Sequence, residues 1–68
     1  MATQTKHYRI EFQSVHTGLW LFFLQFPSLE TAKKVKKATI QATPDIRLRI
    51  REIDLLDLSI LKLIEEDA

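Results

Sequence analysis

The chain has 68 residues, ten basic and nine acidic side chains, and no cysteine. A chain of this length makes one small domain that buries only about 60% of the surface it exposes when unfolded. Without cysteine, neither a disulfide nor a thiolate zinc site can reinforce that core, so association with another copy or a partner is the remaining route to stability.

The formal net charge of +1 implies neither a strongly basic nucleic-acid binder nor an acidic mimic of one. The charges are unevenly spread. Residues 33–51 hold seven of the ten basic side chains, and residues 52–68 hold six acids with only Lys62. No apolar signal segment follows Met1 and no run is long enough to cross a bilayer. With cysteine absent as well, the expected location is cytoplasmic, without a membrane partner.

Residues 1–5 are small and polar, and a disordered N-terminus is expected there. A single domain is expected over residues 6–66, with 67–68 an acidic tail end. From Lys6 to Gln13 the sequence alternates, with Tyr8, Ile10 and Phe12 on one side and His7, Arg9, Glu11 and Gln13 on the other. That pattern predicts a half-buried strand. Ser14 to Gly18 reads as a hairpin loop, with the sole glycine where a positive φ is needed. The run Leu19 to Phe26 follows, apolar at every position except Gln25. Strict alternation puts Trp20, Phe22, Leu24 and Phe26 on one face and Leu19, Leu21 and Phe23 on the other. A strand apolar on both faces must be covered on both.

Ser28 is a good N-cap, and Glu30 places a negative charge in the first turn of a helix predicted over Leu29–Ala42. Its inward stripe would be Ala32, Val35, Ala38, Thr39 and Ala42. Lys33, Lys34 and Lys37 lie opposite that stripe and Lys36 on its flank. Pro44 ends the helix. Residues 46–53 alternate again, with Ile46, Leu48 and Ile50 inward and Arg47, Arg49 and Arg51 outward. Asp54 could then cap a last helix from Leu55 to Glu66. The alternation of Leu56, Leu58 and Ile60 with Asp57 and Ser59 fits a strand too, but leucine, lysine and glutamate favour the helix.

The expected fold is therefore α+β: a three-stranded sheet (β-β-α-β) with one helix on a face and a C-terminal apolar helix used for oligomerisation. The crossover rule makes the third strand parallel to the second. Whether the first or the second strand is central stays open. Double-sided apolarity favours the second, and easy antiparallel pairing the first.

The composition speaks against an enzyme. One glycine excludes a glycine-rich phosphate loop, and none of the three serines has a nearby paired base. His7 and His16 alone do not make a metal site, and no cofactor is implied. Arg47, Arg49 and Arg51 could hold phosphates or stack on bases, or else pair with Glu11 across the sheet. The lysine cluster of residues 33–37 reads as a solvated helix face. The stretch from Tyr8 through Leu29 and into the alanine-bearing helix resembles the front of small HicB-type antitoxins. It lacks that family's glycine-flanked loop between strand and helix, so no property is carried over. The format is similar to that of phage and mobile-element accessory proteins.

The leading expectation is a non-catalytic, oligomeric protein-interaction module, an adaptor or inhibitor that forms a homodimer and binds another protein. Its interface would be Leu56, Ile60, Leu63 and Ile64, with Leu21 and Phe23 as a second surface. The alternatives are a nucleic-acid-binding module using the arginine row, and a binder of a small anion at a subunit interface using the same arginines.

Overall fold

The computed structural model of the chain describes residues 5–57 and 61–66. The expectations for residues 1–4 and for the tail end at 67–68 lie outside the described residues. The elements are β1 (Lys6–Gln13), β2 (Trp20–Phe26), α1 (Leu29–Ala42), β3 (Leu48–Asp54) and β4 (Leu61–Glu66). The strands form one antiparallel sheet in the order β2-β1-β3-β4, and α1 packs on one face of it. The α+β class and the helix packed on one face match the expectation. β3 runs parallel to β2, with β1 between them.

Two expectations are corrected. The sheet has four strands among the described residues, not three, and the C-terminal segment contributes a strand instead of an oligomerisation helix. Asp54 does accept a hydrogen bond from a backbone N–H two residues on, that of Leu56 (2.9 Å). That bond closes a turn, together with Asp57 N–H to the Asp54 carbonyl (3.1 Å) and Leu55 N–H to the Thr5 carbonyl (2.6 Å). The chain then returns along β3. A helix there would have left the β3 edge without a ladder, whereas β4 pairs with it from Arg49 to Ile53 and brings Ile64 to the core. Tertiary pairing overrides the local helix preference.

The open question of the central strand resolves for β1, which lies between β2 and β3; the aromatic strand β2 is an edge. Its double-sided apolarity has a local cause. The partners of Ile10 and Glu11 are Leu24 and Phe22, which leaves Phe23 as an extra residue. Such a bulge flips the alternation. Leu21, Phe23, Leu24 and Phe26 therefore share the helix side, while Trp20, Phe22 and Gln25 share the other. β4 repeats the device: Glu65 opposes Ile50, Leu63 opposes Arg51, and Ile64 is the extra residue turned to the core.

The core consists of Ile10, Ala32, Leu48 and Ile50, all fully buried, flanked by Tyr8, Phe12, Phe23, Phe26, Leu29, Val35, Ile40, Ile46 and Ile64. Phe23 meets Phe12 edge to face, with centroids 6.1 Å apart. The helix starts where expected, with Ser28 Oγ accepting from Thr31 N–H (3.4 Å), and stops at Thr43, whose N–H reaches the Thr39 carbonyl. It is rotated from the expected stripe. Ala38 and Ala42 are exposed, whereas Leu29, Lys36 and Ile40 turn inward with Ala32, Val35 and Thr39. In the first hairpin Gly18 has φ 75°, and Ser14 Oγ accepts from the N–H groups of His16 and Thr17.

Candidate functional site

One face of the sheet is covered by α1. The other carries alternate residues of all four strands: His7, Arg9, Glu11 and Gln13 of β1; Trp20, Phe22 and Gln25 of β2; Arg49, Arg51 and Ile53 of β3; and Leu63 and Glu66 of β4. No described element packs over it. At its centre stands Glu11, 5% exposed. Arg49 Nε donates to Glu11 Oε1 at 2.7 Å, Arg51 Nη1 lies 3.6 Å from the same oxygen, and Arg9 Nη1 lies 3.9 Å from Oε2. One carboxylate thus serves three guanidinium groups, and with Glu66 opposite Arg49 on the same face the described residues there carry an excess of one positive charge.

Two of these guanidinium groups lie over aromatic rings of β2. Arg49 Cζ is 4.4 Å from the Trp20 ring centroid and Arg9 Cζ is 5.5 Å from that of Phe22. The planar, weakly hydrated guanidinium suits both contacts at once. Arg9 Nε is buried and has no hydrogen-bond partner among the described residues. At the far end of the face, Gln25 Nε2 and His7 Nδ1 lie 3.2 Å apart.

The arginine row is only partly the one expected. Arg49 and Arg51 join the Glu11 cluster, in line with the pairing across the sheet. Arg47 precedes β3 and is exposed, and its carbonyl accepts from Gln13 N–H (3.1 Å). The third member is Arg9, which lay in view as the polar partner of Glu11 in the β1 alternation. His16 is exposed in the hairpin loop. Among the described residues no group of three or more His, Asp or Glu side chains is placed to hold a metal ion, and no helix is long and apolar enough to cross a membrane.

The residues expected to form one oligomer seam are dispersed. Leu56 is exposed in the turn after β3, Leu63 is half-exposed on the uncovered face opposite Arg51, and Ile64 packs on the core. Ile60 lies outside the described residues. Of the second pair, Phe23 is spent on the core and Leu21 sits at the β2 edge, 44% exposed. That edge is the other notable feature of the surface. Trp20–Phe26 contains no charged residue and no proline, and Phe22 is 58% exposed, Leu24 38%, and the preceding Leu19 62%. No family model matches the chain, and comparisons with curated proteins and with solved structures found no match.

Proposed function

We propose that the protein is a non-catalytic interaction module that associates through the β2 edge, with a second copy of the chain as its first partner. The observation that carries this reading is an uncharged, proline-free aromatic strand at the sheet edge, with Leu19, Leu21, Phe22 and Leu24 open to water. An edge strand offers a row of backbone N–H and C=O groups to any other strand, and a monomer normally guards it with charge. The four partly exposed side chains would each gain about 1 kcal/mol from cover. Their sum is comparable to the whole stability of so small a domain. Antiparallel pairing of two β2 strands about a two-fold axis covers them and makes one continuous sheet. An adaptor or inhibitor role follows naturally, because the same edge can accept a strand of another protein.

Sedimentation equilibrium at micromolar concentration should give a species of twice the 8.0 kDa chain mass. Phe22→Glu is the informative variant. In a monomer the new carboxylate lies beside Arg9 and is tolerated; across a two-fold axis the two carboxylates repel. The variant should stay folded by circular dichroism and sediment at half the mass. A folded 8.0 kDa monomer of the unmodified protein would overturn the reading.

A nucleic-acid platform is the second reading, favoured by three guanidinium groups, two of them over aromatic rings, on the uncovered face. Arg51→Ala tests it while leaving the Arg49–Glu11 hydrogen bond in place. The substitution should weaken single-strand binding in mobility shifts, whereas Lys34→Ala on the helix should not. Absence of any binding at about 50 mM salt, where phosphate contacts are strongest, would remove this reading.

A further inference from the structure

The two margins of the β2 edge differ in chemistry. On the helix side the margin is aliphatic, formed by the part-exposed Leu21 and Leu24. On the uncovered side it is cationic, although β2 itself carries no charge. Arg49 starts on β3, two strands in from the edge, yet its Cζ ends 4.4 Å from the Trp20 ring centroid. Arg9 starts on β1 and its Cζ ends 5.5 Å from the Phe22 centroid. Both guanidinium groups thus stand over side chains of the edge strand, and a further strand would lie only about 5 Å beyond it. Arg49 Nε donates to Glu11, but Arg9 Nη1 lies 3.9 Å from that carboxylate, beyond hydrogen-bond reach, and Arg9 Nε is buried with no partner among the described residues. A polar group left over in this way calls for an acceptor. Glu66, the other acid of this face, stands on β4 at the opposite edge of the sheet.

A second copy of the chain answers only one of these margins. Its leucines cover Leu21 and Leu24, but to the uncovered side it brings Trp20, Phe22 and Gln25 with guanidinium groups of its own, and β2 contains no acid. On the reading that this edge pairs with a further strand, we propose that its preferred occupant is an extended peptide alternating aliphatic and acidic side chains, which displaces the second copy. The peptide backbone takes the open ladder positions on the outer side of β2. Its aliphatic side chains lie on Leu21 and Leu24, and its carboxylates accept from Arg9 and Arg49. Glutamate suits the span better than aspartate, because its carboxylate reaches further from its own strand. The self-paired dimer is then the resting form, and the acidic strand is what opens it.

The probe is a peptide capped at both ends that alternates valine and glutamate over the seven-residue length of β2. Its controls carry glutamine in place of glutamate, or the same composition with the glutamates consecutive. Sedimentation of the protein alone reads the self-pairing, with twice the 8.0 kDa chain mass expected. Adding the glutamate peptide reads the partner. At low salt it should shift the amides of Trp20–Phe26 in an NMR titration and lower the sedimenting mass to one chain with one peptide. The glutamine peptide should bind about tenfold more weakly, and the consecutive-glutamate peptide no better than that. Arg9→Gln should narrow the preference for glutamate over glutamine without changing the affinity for the glutamine peptide. The peptide series alters nothing in the protein, so it decides even where that variant fails to fold. A monomeric protein that binds the glutamate peptide along β2 upholds the partner and overturns only the second copy. A dimer that the peptide neither shifts nor opens, either control binding as tightly, or shifts centred on β4 or α1 would overturn the proposal.

Discussion

Glu11→Gln is the substitution that tests the centre of the uncovered face. The carboxylate is buried and holds Arg49 at 2.7 Å, Arg51 at 3.6 Å and Arg9 at 3.9 Å. The amide keeps the shape and one acceptor oxygen but cancels the charge, so three guanidinium groups are left to repel one another. Breaking a fully buried pair from one side costs about 3–5 kcal/mol. The arginine side chains here retain 20–28% exposure, so water and salt recover part of that, and about 2–3 kcal/mol is expected. The entropy of unfolding for a domain of this size converts 1 kcal/mol into roughly 4–8 °C of melting temperature, so Tm should fall by about 10–20 °C. Thermal melts at one fixed protein concentration measure it, because any self-association would otherwise move Tm. Added salt should recover part of the loss by screening the arginines. Glu30→Gln is the internal control. Its side chain is 81% exposed and pairs with Lys34 at i+4, so its loss should stay within about 0.5 kcal/mol. A Glu11→Gln melt within about 3 °C of the parent, on the same conversion, would mean that Glu11 does not organise this face.

Two further substitutions probe the fold. Ile64→Asp should unfold the domain, because it puts a charge against the core cluster, whereas Leu63→Asp on the uncovered face opposite Arg51 should change stability by less than about 1 kcal/mol. Equal effects on chemical denaturation would count against the β4 bulge. Gly18→Ala should cost about 1 kcal/mol: no atom lies within 4 Å of the added Cβ, so the penalty is purely that of φ 75°. Urea unfolding measures it, and an unchanged midpoint would mean that the loop relaxes to negative φ.

The parts of the fold that were legible in the sequence are those with a long, unbroken period. β1 and α1 begin and end where the alternation of Tyr8, Ile10 and Phe12 and the cap at Ser28 place them. β3 was legible as Ile46 to Ile53 and is observed two residues later at its start. What failed was anything that a neighbour decides. A single inserted residue, Phe23, reverses which side chains of β2 face the helix, and strict alternation cannot reveal it. The helix rotation that buries Lys36 is set by how α1 seats on β1, β2 and β3 and by the Lys36 pair with Glu65, none of which the helical period carries. The C-terminal segment departs from its helical expectation because leucine, lysine and glutamate report local preference, whereas the vacant edge of β3 is a tertiary fact. Of the candidate site, the Arg49 and Arg51 contacts to Glu11 were readable from opposed alternation. Arg9 stands two residues from Glu11 on the polar side of the β1 alternation, so its place on this face is legible there as well.

The two edges of the sheet are chemically unlike, and the difference sets how far assembly can go. Each edge strand carries a bulge, so the bulge alone does not distinguish them. β4 reads Leu61-Lys62-Leu63-Ile64-Glu65-Glu66, with a lysine and two glutamates along six residues; β2 has no charge in seven. Charged side chains on an edge oppose the approach of a further strand, and lysine is the commonest guard. If two copies join by β2 about a two-fold axis, both outer edges of the resulting sheet are β4. Growth then stops at the dimer, since an isologous contact uses up its own surface. The expected mass therefore stays at twice 8.0 kDa as concentration rises through the micromolar range. Removing the guard should change that. Lys62→Thr with Glu66→Thr leaves the Glu65 pairs with Lys33 and Lys36 intact, keeps strand-forming side chains, and should let the β4 edges pair into larger species visible by light scattering. If the unmodified protein already forms such species, or if the double substitution leaves the mass unchanged while a β2 dimer persists, charge on β4 is not what limits the assembly.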